Sequence, residues 1–104
     1  MQELPSTYYA VIFTSKRTIG DNGYEKMALA MEELAQKEEG FLGIESARDS
    51  QLGITVSYWA TFEDIKRWKD HTAHKVAQEK GKSDWYENYQ VRICKVEESY
   101  GFER

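Results

Sequence analysis

The sequence predicts an α+β fold in which a four-stranded antiparallel sheet carries two helices on one face. Four short runs of apolar residues have the spacing or the β-branched and aromatic content of strands. Two longer runs place apolar residues three and four positions apart, as amphipathic helices do. The helices follow the first and third strands, so the predicted order is β-α-β-β-α-β. At 104 residues, we expect one domain that spans residues 1–104.

Composition and charge argue against several classes of partner. The formal net charge is −4 and the Lys and Arg residues are scattered, whereas nucleic acids and anionic membranes bind clustered basic residues. We therefore predict no nucleic-acid and no membrane partner. Cys94 is the single cysteine, so an internal disulfide and a Cys-x-x-Cys motif are impossible. A reducing compartment is the simplest setting, and no apolar run approaches the length of a membrane span, which together predict a cytoplasmic protein.

The first strand and the first helix are marked by their apolar residues. Residues 8–14 are apolar on both faces, which predicts a strand that is covered on both sides. Asn22 and Glu25 have the spacing of a reciprocal capping pair and predict the helix start. Gly40 is placed to end the helix with a positive φ. The predicted apolar stripe comprises Tyr24, Met27, Ala28, Met31, Leu34 and Ala35.

The second half of the chain begins with a predicted hairpin. Phe41–Ala47 is the second strand, and Gly53 restarts an extended run after a turn-rich segment. Thr61 is a good N-cap for the second helix, since Asp64 stands three residues later, where its side chain can reach back. Tyr89–Val96 is the fourth strand. The resulting order is that of the ferredoxin-like, split βαβ arrangement.

One face of this sheet has no predicted helix to cover it. Strands one and three nevertheless offer large apolar residues to both faces. An exposed apolar surface of that size favours aggregation, and the sheet of a second copy of the chain is the economical cover. We therefore predict a homodimer.

Three motifs resemble those of one family. They are Gly40-Phe41-Leu42-Gly43-Ile44-Glu45, then Ser57-Tyr58-Trp59-x-x-Phe62-Glu63-Asp64-Ile65-x-x-Trp68, and finally His74-Lys75-x-Ala77-Gln78. Together they are similar to the antibiotic-biosynthesis-monooxygenase superfamily, and the resemblance runs from Tyr8 to about Tyr100. It implies a dimeric α/β barrel, in which two ferredoxin-like sheets face each other. The superfamily includes quinone-forming oxygenases and haem degraders, so the resemblance predicts the fold more sharply than the chemistry.

The resemblance also allows a test for haem. The haem-degrading branch has an Asn on the first strand, a Trp in the second helix and a haem-ligating His about ten residues after that Trp. Trp68 matches the Trp, but Gln78 stands ten residues later, and residues 8–15 contain no Asn. His74 lies one turn earlier and could substitute as the ligand. We predict no cofactor, with haem binding through His74 as an alternative.

The two histidines are the main candidates for acid–base chemistry. His71 and His74 are three residues apart, so they could share one face of a helix and act as a general base or as metal ligands. A third ligand is not evident nearby, so we predict no metal site. If residues 62–80 form one helix, both histidines and Gln78 face water. A break near residues 70–72 would reset the helical phase and could turn one histidine inward.

The remaining candidates are aromatic or charged. Trp68 matches a pocket position of the resembled family, and Tyr58 could form a second wall, although packing explains both residues equally well. Glu45 and Arg92 lie on the second and fourth strands. If they project from the same face, they could hold a phenol or carboxylate of a substrate, or pair with each other as a salt bridge.

These candidates and the resemblance together predict a function. The first hypothesis is a cofactor-independent monooxygenase-like protein that acts on a small aromatic or polyketide-like compound. His74 would be the catalytic base and Arg92 would stabilise the anion, while Trp68, Tyr58, His71, Gln78 and Glu45 would contact the substrate. The alternative is a non-catalytic dimer that binds a small ligand or is associated with stress, or a haem-binding protein that lacks the usual haem-degrading residues.

Overall fold

The computed structural model describes residue 5 and residues 7–21 and 23–104, apart from the side chains of residues 72 and 73. Its strands form one antiparallel sheet in the order β2-β3-β1-β4. The predicted α+β, ferredoxin-like fold is therefore confirmed, although the second helical segment is divided. The elements are β1 (Tyr8–Arg17), α1 (Tyr24–Gln36), β2 (Phe41–Arg48), β3 (Gly53–Trp59), α2 (Phe62–Lys69), α3 (Thr72–Lys80), a π-helical turn (Gly81–Trp85) and β4 (Tyr86–Val96).

β1 lies in the middle of the sheet and is longer than predicted. It pairs with β3 on one side and with β4 on the other. The predicted strand ended at Thr14, but Ser15 pairs with Tyr89 and Lys16 pairs with Asn88. A β-ladder joins main-chain groups, so it can continue through polar side chains that the apolar pattern does not reveal.

The start of α1 differs from the predicted capping pair. Asn22 lies outside the described residues, and the N-cap is Gly23, whose φ is 83°. The carboxylate of Asp21 accepts hydrogen bonds from the backbone amides of Gly23 and Glu25, at 3.0 and 3.2 Å. An acidic residue just before the helix thus satisfies the amide groups that the first turn leaves unpaired, and its charge suits the positive end of the helix.

A break between α2 and α3 is the feature that shapes the candidate site. Thr61 begins α2 as predicted, because its Oγ1 accepts from the amide of Asp64 at 3.1 Å and its hydroxyl donates to the Asp64 carboxylate at 2.8 Å. α2 ends with Asp70 as its C-cap, and α3 begins only at Thr72. The helical phase is therefore reset just before His74.

Both helical segments pack on the same face of the sheet, which we call the covered face. The core there is formed by Ala35 of α1, Trp59 of β3 and Ile65 of α2, with Trp59 only 1% exposed. Partly buried side chains surround this cluster, namely Tyr9, Val11, Phe41 and Trp68. The amphipathic stripes predicted for the two helices thus do meet one face of the sheet.

The opposite face of the sheet, which we call the open face, carries the alternate residues of each strand. Tyr8 and Ala10 of β1 are buried there, whereas Ile54 of β3 is 41% exposed and Arg92 and Cys94 of β4 are exposed. None of the helices in the described part of the chain combines the length and apolar character that a bilayer crossing needs.

Candidate active site

A stack of three rings lies on the covered face, beside the break between α2 and α3. The rings of Trp59 and Trp68 are 6.2 Å apart between centroids and inclined by 26°. The imidazole of His74 continues this series of contacts, 4.6 Å from Trp68 and inclined by 22°. We call Trp59, Trp68 and His74 the ring stack. Because Trp59 is part of the core, the stack links His74 to the most rigid part of the fold.

Burial determines the charge state of His74. Its Nδ1 atom is buried, and none of the described residues offers it a hydrogen-bond partner of acceptable geometry. Loss of hydration lowers the pKa of His74 below its ordinary value of 6.5, and the neighbouring His71 lowers it further. The backbone carbonyls of Trp68 and Lys69 oppose this shift without reversing it. The imidazole is therefore neutral near pH 7 and can accept a proton.

His71 lies at the rim of the ring stack and is more exposed. Its ring centroid is 5.6 Å from that of Trp68, and its Nε2 atom is 3.7 Å from a carboxylate oxygen of Glu38. The side chain of His71 is 37% exposed. Of the two predicted histidines, His74 is thus the one that the helix break turns toward the protein interior.

Two side-chain contacts tie α2 and the α2–α3 break to the turn that follows α1. Glu38 faces His71, and Glu39 lies 3.5 Å from Arg67, which also contacts Asp64 at 2.9 Å. Acidic residues at the negative end of a helix are locally unfavourable, and these tertiary contacts compensate for them. Sequence analysis did not find Glu38 as a partner of the site, because the contact joins residues that are far apart along the chain.

Gln78 and a shallow groove complete the surroundings on the covered face. Gln78 lies on α3, one turn beyond His74, and is half-buried. A groove of about 300 Å³ runs beside α2 and is lined by Phe62, Ile65, Lys66, Lys69 and Ile93. Its volume is near the lower end of the range for small-molecule sites, and its walls combine apolar side chains with lysine ammonium groups.

The other predicted site residues lie on the open face. Tyr58 precedes Trp59 in β3, and adjacent strand residues point to opposite faces. The Tyr58 hydroxyl donates a hydrogen bond to Glu45 at 2.8 Å, and this bond raises the pKa of Tyr58 to about 12. In one chain, the sheet thus separates Tyr58 and Glu45 from the ring stack.

Arg92 shares the open face with Glu45 but cannot reach it. In the register of the sheet, Glu45 pairs with Val56, Val56 with Ile12, and Ile12 with Arg92. Strands are about 4.8 Å apart, so three spacings place the two backbones about 14 Å from each other. The suggested salt bridge within one chain is therefore wrong, and Arg92 is not placed to stabilise an anion beside His74 of the same chain.

The described residues also define what the histidines could bind. No group of three or more His, Cys, Asp or Glu side chains converges in the part of the chain that the structure describes. His71 and His74 therefore have no third protein ligand there. A porphyrin would have to be held by the nitrogen of a single histidine. The haem-binding alternative predicted from the sequence assigns that role to His74.

Comparison with known proteins identifies the family. The family model described as antibiotic biosynthesis monooxygenase matches residues 22–80, a range that includes the whole ring stack. The chain belongs to this family. It is also similar to the uncharacterized protein YqjZ of Bacillus subtilis (strain 168), with 50% identity over 91 residues, which cover 86% of this chain and 80% of that protein.

Solved structures share the fold of this family member at low identity. PA3566 from Pseudomonas aeruginosa matches with a TM-score of 0.72 and 16% identity, over 85% of this chain and 92% of that chain. A mutant of SnoaB from Streptomyces nogalater, described as a cofactor-independent oxygenase, matches with a TM-score of 0.77 and 6% identity, over 88% and 95% of the two chains. These similarities establish the fold and leave the chemistry to the residues of this chain.

Proposed function

We propose that this family member is a cofactor-independent, monooxygenase-like enzyme that acts on a small aromatic or polyketide-like compound, with His74 as its base. The observation that carries the proposal is the partly buried, neutral imidazole of His74 stacked on Trp68. A general base must be unprotonated at the working pH and must lie where water does not compete for the proton. A flat aromatic substrate also suits a site whose walls are aromatic rings.

The chemistry requires little more than a base and a dry site. His74 takes the phenolic proton of the substrate, and the electron-rich anion then reduces molecular oxygen and combines with it. The peroxide adduct takes back the proton from His74. As its O–O bond breaks, the carbon that bears it loses its own hydrogen, so one oxygen atom stays as a carbonyl and the other leaves as water. The protein contributes orientation through Trp68 and a surface from which solvent is excluded. His71 and Gln78 would contact the substrate at the rim.

We also propose that the open face joins two copies of the chain into a homodimer. Ile54 exposes 41% of its surface there, and Val56 and Ile12 are partly exposed beside it. The sheet of a second copy would remove these apolar side chains from water. Tyr58, Glu45 and Arg92 would then lie at the contact between the copies rather than around the His74 substrate. We also propose that the chain forms a single domain and that the protein is cytoplasmic.

Oxygen consumption tests the catalytic proposal. The panel contains anthrone-like compounds and hydroquinones, each with the wild-type chain, His74→Ala and His71→Ala. We expect uptake with at least one aromatic compound and a loss of about 100-fold or more in His74→Ala, since positioned bases contribute at least that much. His71→Ala is the comparison at the rim and should lose much less activity than His74→Ala, because it removes a substrate contact but not the base.

Two results would count against this proposal. One is wild-type uptake that does not exceed the uncatalysed rate with any compound, which would favour the non-catalytic, ligand-binding alternative. The other is equal activity in His74→Ala and the wild type. Addition of hemin provides a separate measurement, in which a Soret band that depends on His74 would favour the haem-binding alternative over a cofactor-free enzyme.

A further inference from the structure

A second cluster of polar and aromatic groups lies at the other end of the covered face. It consists of Arg17, Tyr24, Arg48 and Tyr86, and we call it the arginine–tyrosine corner. The guanidinium carbon of Arg17 lies 3.6 Å from the centroid of the Tyr24 ring, and that of Arg48 lies 5.9 Å from it. The Tyr86 ring meets Tyr24 edge-on, with 5.7 Å between centroids. Two positive charges thus converge on one aromatic ring.

The arginines of the corner lack a close acid partner in the described part of the chain, although the neighbouring Asp49 carboxylate does interact with the charge of Arg48. Among the described residues, no carboxylate lies within ion-pair distance of Arg17 or Arg48. The acids that are near them in sequence have other partners. Asp21 accepts from the amides of Gly23 and Glu25, and the Asp49 carboxylate accepts from the amides of residues 51 and 52 at 2.7 and 2.8 Å.

The two guanidinium groups are held in place but retain unused donors. Arg17 donates from Nε to the carbonyl of Trp85 at 2.9 Å and from one terminal nitrogen to the carbonyls of Gly20 and Asp21. Arg48 donates from one terminal nitrogen to the hydroxyl of Ser15. Each guanidinium carries further N–H groups in the fork that binds carboxylates. The corner therefore offers preorganised donors that the described residues leave free.

The surroundings of the corner are aromatic and positively polarised. Phe13 contacts Tyr86 at 5.4 Å and Tyr89 at 5.3 Å between centroids, which extends the aromatic surface. The positive end of α1 lies close by, because the helix begins at Tyr24, but the Asp21 carboxylate already caps it. Burial and a hydrogen bond with Tyr24 raise the pKa of Tyr86, so its phenol stays neutral. Apart from the carboxylates of Asp21 and Glu25 at the start of α1, an anion at Tyr24 would meet cationic and neutral groups.

We propose that the arginine–tyrosine corner is a binding site for a small aromatic carboxylate. The carboxylate would take the free N–H groups of Arg48 and Arg17, and the aromatic ring of the ligand would contact the rings of Tyr24 and Tyr86. One guanidinium binds a planar carboxylate through two parallel hydrogen bonds, which a simple point charge cannot match. This inference concerns a site apart from His74 and does not rest on the proposed oxygenase activity.

Binding of benzoate tests this proposal without any turnover. The full-length chain is titrated with benzoate, and amide and ring shifts are followed by NMR at low and moderate salt. We expect saturable shifts centred on residues of the corner, weakened by salt and reduced at least about tenfold in affinity in Arg48→Gln. Arg48→Lys should recover part of the affinity, because it restores the charge but not the fork.

The controls separate this site from simple charge attraction and from loss of folding. Arg67→Gln is the matched arginine variant, because Arg67 is already paired with acids, and it should bind benzoate as the wild type does. His74→Ala should also bind normally, so a failed oxygenase test leaves this test intact. Benzyl alcohol and inorganic phosphate should both bind more weakly than benzoate.

Several results would overturn the assignment. They are the absence of saturable benzoate shifts in the wild type, equal affinity in Arg48→Gln and the wild type, and phosphate binding that is tighter than benzoate binding. Thermal unfolding of Arg48→Gln shows whether the variant is folded. If it is not, the comparison of Arg48→Lys with Arg67→Gln decides, and equal affinities in those two variants contradict the proposal.

Discussion

The imidazole of His74 is packed where its charged form is poorly solvated. The Trp68 ring covers one side of it, and Nδ1 is buried without a hydrogen-bond partner among the described residues. Unpaired buried polar groups cost about 1–3 kcal/mol each, so a core tolerates them rarely. The folded chain therefore carries an energetic cost at the residue that we propose as the base.

The buried His74 predicts a specific dependence of stability on pH. The unfolded chain protonates this residue below pH 6.5, whereas the folded chain does so only at lower pH, because burial lowers the pKa of His74. The unfolded state therefore binds more protons in this window, and the free energy of unfolding falls as the pH decreases through 6.5. Each unit by which folding lowers the pKa of His74 adds about 1.4 kcal/mol to this fall in the free energy of unfolding. Urea unfolding between about pH 8 and pH 5 measures the effect.

His74→Phe supplies the comparison for this pH dependence. Phenylalanine can stack on Trp68 but cannot titrate, so the fall in stability between pH 8 and pH 5 should be smaller in this variant than in the wild type. His71→Gln measures how much of this effect depends on the neighbouring imidazole, because His71 contributes to the lowered pKa of His74. An unchanged pH profile in His74→Phe would contradict the burial of a neutral His74.

The turn between α1 and β2 shows how one element fixes the position of another. Gly40 has a φ of 83°, and a Cβ atom at this position would collide with the carboxylate of Asp64. Asp64 is itself held by Thr61 and Arg67, at the start of α2. The backbone of the turn thus packs directly against the capping network of the next helix, and only glycine fits.

Two glycines with the same φ allow the energetic effect of the contact with Asp64 to be separated from that of backbone strain. Gly23 also has a φ of 83°, but nothing lies within 4 Å of a Cβ built there. Gly23→Ala should lower the free energy of unfolding by about 1 kcal/mol, the cost of a left-handed conformation. Gly40→Ala should lower it by about 2–4 kcal/mol, because a steric clash with Asp64 is added. Equal losses in urea unfolding would show that the contact with Asp64 is unimportant.

Element by element, the sequence predicted the strands and helices well where apolar spacing carries the information. It predicted the N-cap at Thr61, and it anticipated the break near residues 70–72 as one of two possibilities. The predicted cap residue Asn22 lies outside the described residues, and the N-cap is Gly23, a left-handed glycine after Asp21 that residue spacing alone does not specify. The last residues of β1 were missed because they are polar.

The candidate site was predictable in part. Trp59 and Tyr58 are neighbours in a strand, so the alternation of strand residues alone implies that they face opposite sides of the sheet. Since Trp68 packs on Trp59, the same alternation separates Tyr58 from the ring stack. The alternation of strand residues does not predict that Arg48 lies near Arg17. That position depends on the register of the sheet and on a turn that joins distant segments.

At the scale of the whole molecule, our proposals assign different roles to the two faces of the sheet. The covered face carries the ring stack at one end and the arginine–tyrosine corner at the other. The open face carries Tyr58, Glu45 and Arg92, together with partly exposed aliphatic side chains. A family member of this fold can thus use one face for ligands and the other to join two copies.

Two exposed aliphatic residues provide a matched pair for testing whether the open face is the contact between two copies. Ile54 lies on the open face and is 41% exposed, whereas Leu52 lies in the β2–β3 turn and is 48% exposed. Ile54→Glu would place a charge in the proposed contact between copies, where burial of an unpaired carboxylate is costly. Leu52→Glu would change a similar side chain outside the sheet, so it should leave association unchanged.

The molar mass in solution tests most directly whether the open face joins two copies of the chain. Light scattering on the eluting protein at micromolar concentration should give twice the chain mass of 12.2 kDa for the wild type and for Leu52→Glu. Ile54→Glu should move toward the mass of one chain. A wild-type protein that elutes as a stable monomer at this concentration would contradict the proposed division.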